Sequence, residues 1–98
     1  MNLVSVGQGE TSMTCLWELN GKYVVTIHHL LVDLSMFSLG WSNLSGTMEI
    51  GSYLANSEGH IMTSISPVKR ESATNFEEIH KQYAASAFEF LPANQEKE

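Results

Sequence analysis

Two stretches of alternating apolar and polar residues, each folded back on itself at a turn containing asparagine and glycine, limit the folds open to this chain. From Thr11 to Leu19 the odd positions Met13, Cys15 and Trp17 are apolar, while Ser12, Thr14 and Glu18 are polar. This is the two-residue period of a half-buried strand, with Leu16 the exception. After Asn20-Gly21, the run Lys22 to Leu31 sets Tyr23, Val25, Ile27 and His29 on one face and Lys22, Thr26 and His28 on the other, with Val24 breaking the pattern. A two-residue Asn-Gly loop pairs Trp17 with Val24 and sends the two apolar sets to opposite faces. A three-residue loop of Leu19, Asn20 and Gly21 instead pairs Trp17 with Tyr23, Cys15 with Val25 and Glu18 with Lys22. The longer loop is therefore expected, with Gly21 in the left-handed conformation.

The second hairpin is expected over Thr47 to Ala55 and His60 to Ser66, around Asn56-Ser57-Glu58-Gly59. Pairing Ala55 with His60 aligns Leu54 with Ile61 and Ile50 with Ile65, leaving Tyr53 and Met62 on the other face. A short strand from Leu3 to Val6 adds an edge before Gly7-Gln8-Gly9, and Pro67 is expected to end the last strand. Thr74 precedes Glu77 by the spacing of a capping box, which predicts a helix whose stripe is Phe76, Ile79, Tyr83, Ala87 and Phe90, stopped by Pro92. The connector from Val32 to Gly46 reads as a short helix or, preferably, as strand or irregular structure, because Gly40 and its serines lower helix propensity. The expected fold is α+β: an antiparallel sheet of four or five strands built from two hairpins, with one C-terminal amphipathic helix packed on one face. Residues 1–92 read as one domain and residues 93–98 as a solvated tail.

A chain of 98 residues suits a single core. The net charge of −6, with only five Lys and Arg, excludes a phosphate-binding footprint and with it nucleic acid. The same scarcity of cations argues against an anionic membrane surface, and no apolar run approaches the ~18 residues of a membrane span. A single cysteine, Cys15, falls in a strand pattern, forms no internal disulfide and reads as a small buried hydrophobe. A cytoplasmic setting is expected.

His28-His29-Leu30-Leu31-Val32-Asp33 resembles the His-His-x-x-x-Asp-Gly motif of the condensation-domain and chloramphenicol-acetyltransferase superfamily. The resemblance implies His29 as general base for acyl transfer and Asp33 as structural acid. It covers six residues, Leu34 stands where the family has glycine, and that fold needs several hundred residues, so the match reads as coincidence. On the strand reading His29 faces the core and His28 faces solvent. Adjacent strand residues point to opposite faces, so they do not share one metal, and His80 in the helix stripe is placed to approach His29. Neither a metal nor a cofactor is expected. Glu77 with Glu78 complements a helix N-terminus rather than forming a catalytic pair.

With 43% hydrophobic and 16% charged residues, against roughly 25% charged in typical soluble domains, the chain carries more apolar material than one helix and one sheet face absorb. The reading is a non-enzymatic interaction protein, a homo-oligomer with a dimer favoured, that also binds a protein partner through its aromatic connector. Its expected interface residues are Met36, Phe37, Leu39, Trp41, Tyr53 and Met62. The alternative is a small-molecule binding domain or minimal enzyme with a pocket between helix and sheet, lined by Trp17, Tyr23, His29, His80 and Tyr83.

Overall fold

The computed structural model describes residues 1–31 and 46–91. Five antiparallel strands, β1 (Asn2–Gln8), β2 (Ser12–Leu19), β3 (Lys22–Leu30), β4 (Gly46–Ala55) and β5 (Ile61–Ala73), lie in the order of the chain. Helix α1 (Phe76–Phe90) crosses one face and rests chiefly on β3, with contacts to β4, β5 and β2. The protein is thus α+β, a meander with β3 at its centre and β1 and β5 at its edges.

The first hairpin does not take the three-residue loop expected of it. Asn20 and Gly21 both have positive φ, 54° and 82°, and Leu19 pairs directly with Lys22. This is the two-residue loop with both central residues left-handed, whose twist matches that of the strands it joins. Trp17 therefore pairs with Val24, Cys15 with Thr26 and Glu18 with Tyr23. Gly21 N–H and the Asn2 side-chain amide both donate to the Glu18 carboxylate, and these bonds hold its pKa below the usual value.

That one-residue difference in phase decides what the helix covers. Met13, Cys15, Trp17, Val24, Thr26, His28 and Leu30 turn toward α1, while Leu16, Tyr23, Val25 and Ile27 turn away. Leu16 and Val24, which interrupt the alternation, each serve the face their neighbours leave. Val24 is fully buried on the helix side, and Leu16 joins Val25, Ala55 and the half-buried Tyr23, Ile27 and Tyr53 in a second cluster behind the sheet. The β4–β5 turn lies against that cluster, since a Cβ added at Gly59 would sit 3.6 Å from Leu16 Cδ2. Both faces of the sheet carry apolar clusters, so an argument that gathers every apolar residue on one face selects the wrong loop.

The second hairpin is also shifted from its expected register. Ala55 pairs with Ile61, Leu54 with Thr63, Ser52 with Ser66 and Ile50 with Lys69, with register slips at three places. Asn56 Oδ1 accepts the N–H groups of Glu58 and His60 and so builds the turn. Pro67 does not end the strand, because β5 is an edge strand and Pro67 lies where it slips against β4.

The cap of α1 is Asn75 rather than Thr74: Asn75 Oδ1 accepts Glu78 N–H at 3.1 Å, and Glu77 and Glu78 occupy the dipole-favoured first turn. The buried residues are Phe76, His80, Ala84 and Ala87, with Ile79 and Tyr83 on the flank and Phe90 73% exposed. The small Ala84 lets the helix approach Cys15 and Trp17 closely.

Candidate functional site

Packing a helix on the Thr26–His28 face of β3 sets polar side chains inside a dry interface, where each must find a partner. The Trp17 indole can only donate, and it donates Nε1–H to Thr26 Oγ1 at 2.9 Å. Thr26 Oγ1 lies 2.6 Å from His80 Nδ1, and His80 Nε2 lies 2.6 Å from His28 Nδ1. Trp17, Thr26, His80 and His28 thus form one buried series spanning β2, β3 and α1. The series has two possible directions of donation beyond Thr26, and in both its unpaired end is His28 Nε2. The His28 ring packs against Phe76 in a T-shaped arrangement, centroids 4.7 Å apart with 74° between the planes.

Burial, reinforced by the neighbouring imidazole, pushes the His80 pKa down to about 3; burial with the nearby His29 pushes His28 down to about 4. Both rings are neutral near pH 7. Burial pushes the Cys15 thiol up to about 12, against an opposing hydrogen bond with Thr26, which makes it inert. Cys15, Thr26, His28 and His80 are all fully buried, so no substrate reaches them. Two histidine nitrogens on one tetrahedral zinc stand about 3.3 Å apart for bonds of about 2.05 Å; 2.6 Å is instead a short hydrogen bond. No group of three metal-ligating residues occurs among the described residues.

The residues expected to line one pocket are divided by the sheet. Trp17 and His80 meet at Thr26, but His29 is exposed and Tyr23 belongs to the cluster on the opposite face. The expected placement of the adjacent histidines is reversed, with His28 inside and His29 outside, because the strand phase is reversed. Tyr83 lies apart, where its hydroxyl donates to Glu71 Oε2 at 2.6 Å; burial and that carboxylate raise the phenol's pKa. It lines a groove of ≈ 430 Å³ between α1 and β5, together with Ser52, Ser66, Lys69, Glu71 and Ile79. Of the expected interface, Met62 is 65% exposed and Tyr53 is half-buried behind the sheet, while Met36, Phe37, Leu39 and Trp41 lie outside the described residues, as does Asp33. Thr26 and His28 were legible only through the Asn20-Gly21 dipeptide, whose preference for a two-residue loop puts both beneath His80.

The fold and its interior define a five-stranded meander covered by one helix and pinned by a buried Trp–Thr–His–His series. No family model matches the chain, and neither a curated protein nor a solved structure matches it significantly.

Proposed function

We propose that this protein is a non-enzymatic interaction protein that self-associates, most simply as a two-fold dimer. The observation that carries this reading is the apolar character of its outermost strand, where Leu3, Val4 and Val6 are 40%, 50% and 41% exposed. Ile61, Met62 and Val68 add exposed apolar surface on the strand at the other edge. The chemically versatile side chains argue in the same direction: the histidine pair, Thr26 and Cys15 are sealed in the interior, where they serve cohesion rather than turnover. The aromatic connector, with Phe37 and Trp41, is the place we assign to a protein partner. A cytosolic setting suits the lone thiol, and no helix among the described residues is long and apolar enough to cross a membrane.

Light scattering coupled to size exclusion tests the reading. The 10.9 kDa chain is expected to elute at twice that mass in the tens of micromolar range and to dissociate on dilution; a monomer at every concentration would overturn it.

The groove between α1 and β5 favours a second reading, small-molecule binding. Its volume lies in the range of ligand pockets, and it places the Glu71 carboxylate beside the apolar Ile79 and Tyr83 ring. On this reading a thermal-shift screen yields a saturable stabiliser with an amine and an apolar body, whose affinity drops at least about tenfold, or 1.4 kcal/mol, in Glu71→Gln. A broad screen without such a compound counts against it.

A further inference from the structure

We propose that the groove between α1 and β5 binds a free α-amino acid with an apolar side chain, its ammonium on the Glu71 carboxylate and its carboxylate on the Lys69 ammonium. The inference rests on the small-molecule reading of that groove and assigns the class of ligand.

β5 brings two opposite charges to the groove because alternate residues of a strand share a face. Lys69 pairs with Ile50 and Glu71 with Met48, both core residues beneath α1, so the two charged side chains stand on the helix side of the sheet, about 7 Å apart along the strand. Arg70, between them on the opposite face, is taken by Glu49, whereas neither Lys69 nor Glu71 enters an ion pair among the described residues. Tyr83 reaches across from α1 and donates to Glu71 Oε2 at 2.6 Å, which orients the carboxylate and leaves Oε1 to a second donor.

Charge complementarity then selects the ligand. An amine alone meets Glu71 but stands beside the Lys69 ammonium, and a carboxylate alone meets Lys69 but stands beside Glu71. A zwitterion sets each of its charges against an opposite one. The ammonium and carboxylate of an α-amino acid sit on one carbon, and the flexible four-carbon stem of Lys69 closes the remaining distance. A residue inside a peptide carries neither charge, so the site takes the free amino acid and not a chain. Beyond the charges the groove continues past the Ser52 and Ser66 hydroxyls, which bond each other at 2.8 Å, and along Ile79 and Ala87 to Phe90. The Phe90 ring is 73% exposed, and an apolar side chain laid along this wall covers it.

Lys69 is exposed, and Gln at position 71 keeps an acceptor for Tyr83, so substitutions at both positions leave the fold intact. Three probes with the same aromatic body separate the charges: L-phenylalanine carries both, phenethylamine the ammonium alone and 3-phenylpropanoate the carboxylate alone. Calorimetric titration of the full chain is expected to show saturable binding of phenylalanine, at least about tenfold tighter than of either analogue. In Lys69→Gln phenylalanine is expected to bind no better than phenethylamine, and in Glu71→Gln no better than 3-phenylpropanoate. A merely structural role of either residue would weaken all three probes alike. Lys81→Gln, an exposed charge of α1 outside the groove, is expected to change nothing. If phenethylamine binds as tightly as phenylalanine and weakens in Glu71→Gln, the groove is an amine site: the amino-acid class is wrong although the small-molecule reading stands. No saturable binding of any probe, tightest binding of 3-phenylpropanoate, or phenylalanine binding indifferent to both substitutions likewise overturns the assignment, and the thermal-shift screen then decides the broader reading by itself.

Discussion

Thr26→Val is expected to lower the melting temperature by roughly 10 °C or more while leaving the fold unchanged. Valine matches threonine in shape, so the substitution opens no cavity and its cost is almost purely one of hydrogen bonding. It deprives Trp17 Nε1–H and His80 Nδ1 of their shared partner inside the interface of β2, β3 and α1. Each buried polar group left unsatisfied costs about 1–3 kcal/mol, and a domain of this size loses about 4–8 °C for each kcal/mol. The cost depends on position because the series branches at Thr26, where the Cys15 thiol also bonds: removing Thr26 takes a hydrogen bond from Trp17, His80 and Cys15 together, whereas replacing the terminal His28 takes one from His80 Nε2 alone. Thr26→Ser keeps the hydroxyl and loses one methyl, for about 1 kcal/mol, and is expected to recover most of the melting temperature. Calorimetry on the two variants decides the matter: a Thr26→Val protein no less stable than Thr26→Ser would mean that the series does not hold the helix to the sheet.

The elements of the fold were legible in the sequence, but the faces of its strands were not. Alternation over Thr11 to Leu31 and the stripe from Phe76 onward identify strands and a helix because each has a period of its own. Which residues look inward depends on a single residue of turn length, and alternation settles that only when one face is polar. Here Leu16, Tyr23, Val25 and Ile27 supply a second apolar face, so the pattern is equally apolar in either phase. The local chemistry of Asn20-Gly21 outweighed the pattern, since asparagine adopts positive φ at modest cost and glycine at none. Pro67 misleads for a related reason. It forbids a central strand, yet β5 lies at an edge, a fact of topology and not of local sequence. The candidate site inherited the error in phase: His80 was recognisable as an inward helix residue, but its partners Thr26 and His28 stood on the face assigned to solvent.

Neutral histidines in the interior make this fold acid-sensitive in a window well above that of its carboxylates. In the unfolded chain both imidazoles take up protons as the pH falls below about 6.5. In the folded protein His28 and His80 stay neutral until about pH 4 and 3, because the interior excludes the charged form. The unfolded state therefore binds more protons throughout that window, and stability falls as pH falls, by up to about 1.4 kcal/mol per pH unit for each ring. The groups facing the pair do not offset this. Cys15 on β2 is held protonated, Thr26 and Phe76 do not ionise, and Ile50, the cross-strand neighbour of His28 on β4, carries no charge. Glu18, whose carboxyl is held below its usual range by Gly21 and Asn2, loses its contribution only as pH falls through that lower range. Urea unfolding at pH 7, 6, 5 and 4 is accordingly expected to show a decline beginning near pH 6.5 and reaching several kcal/mol by pH 4, a large share of the ~5–15 kcal/mol typical of a domain. In the double variant His28→Phe, His80→Leu the decline is expected to vanish down to the carboxylate range, whatever the variant's stability at pH 7. A wild-type protein equally stable at pH 7 and pH 5 would show that the imidazoles accept protons in place, and hence that the interface between α1 and β3 admits water.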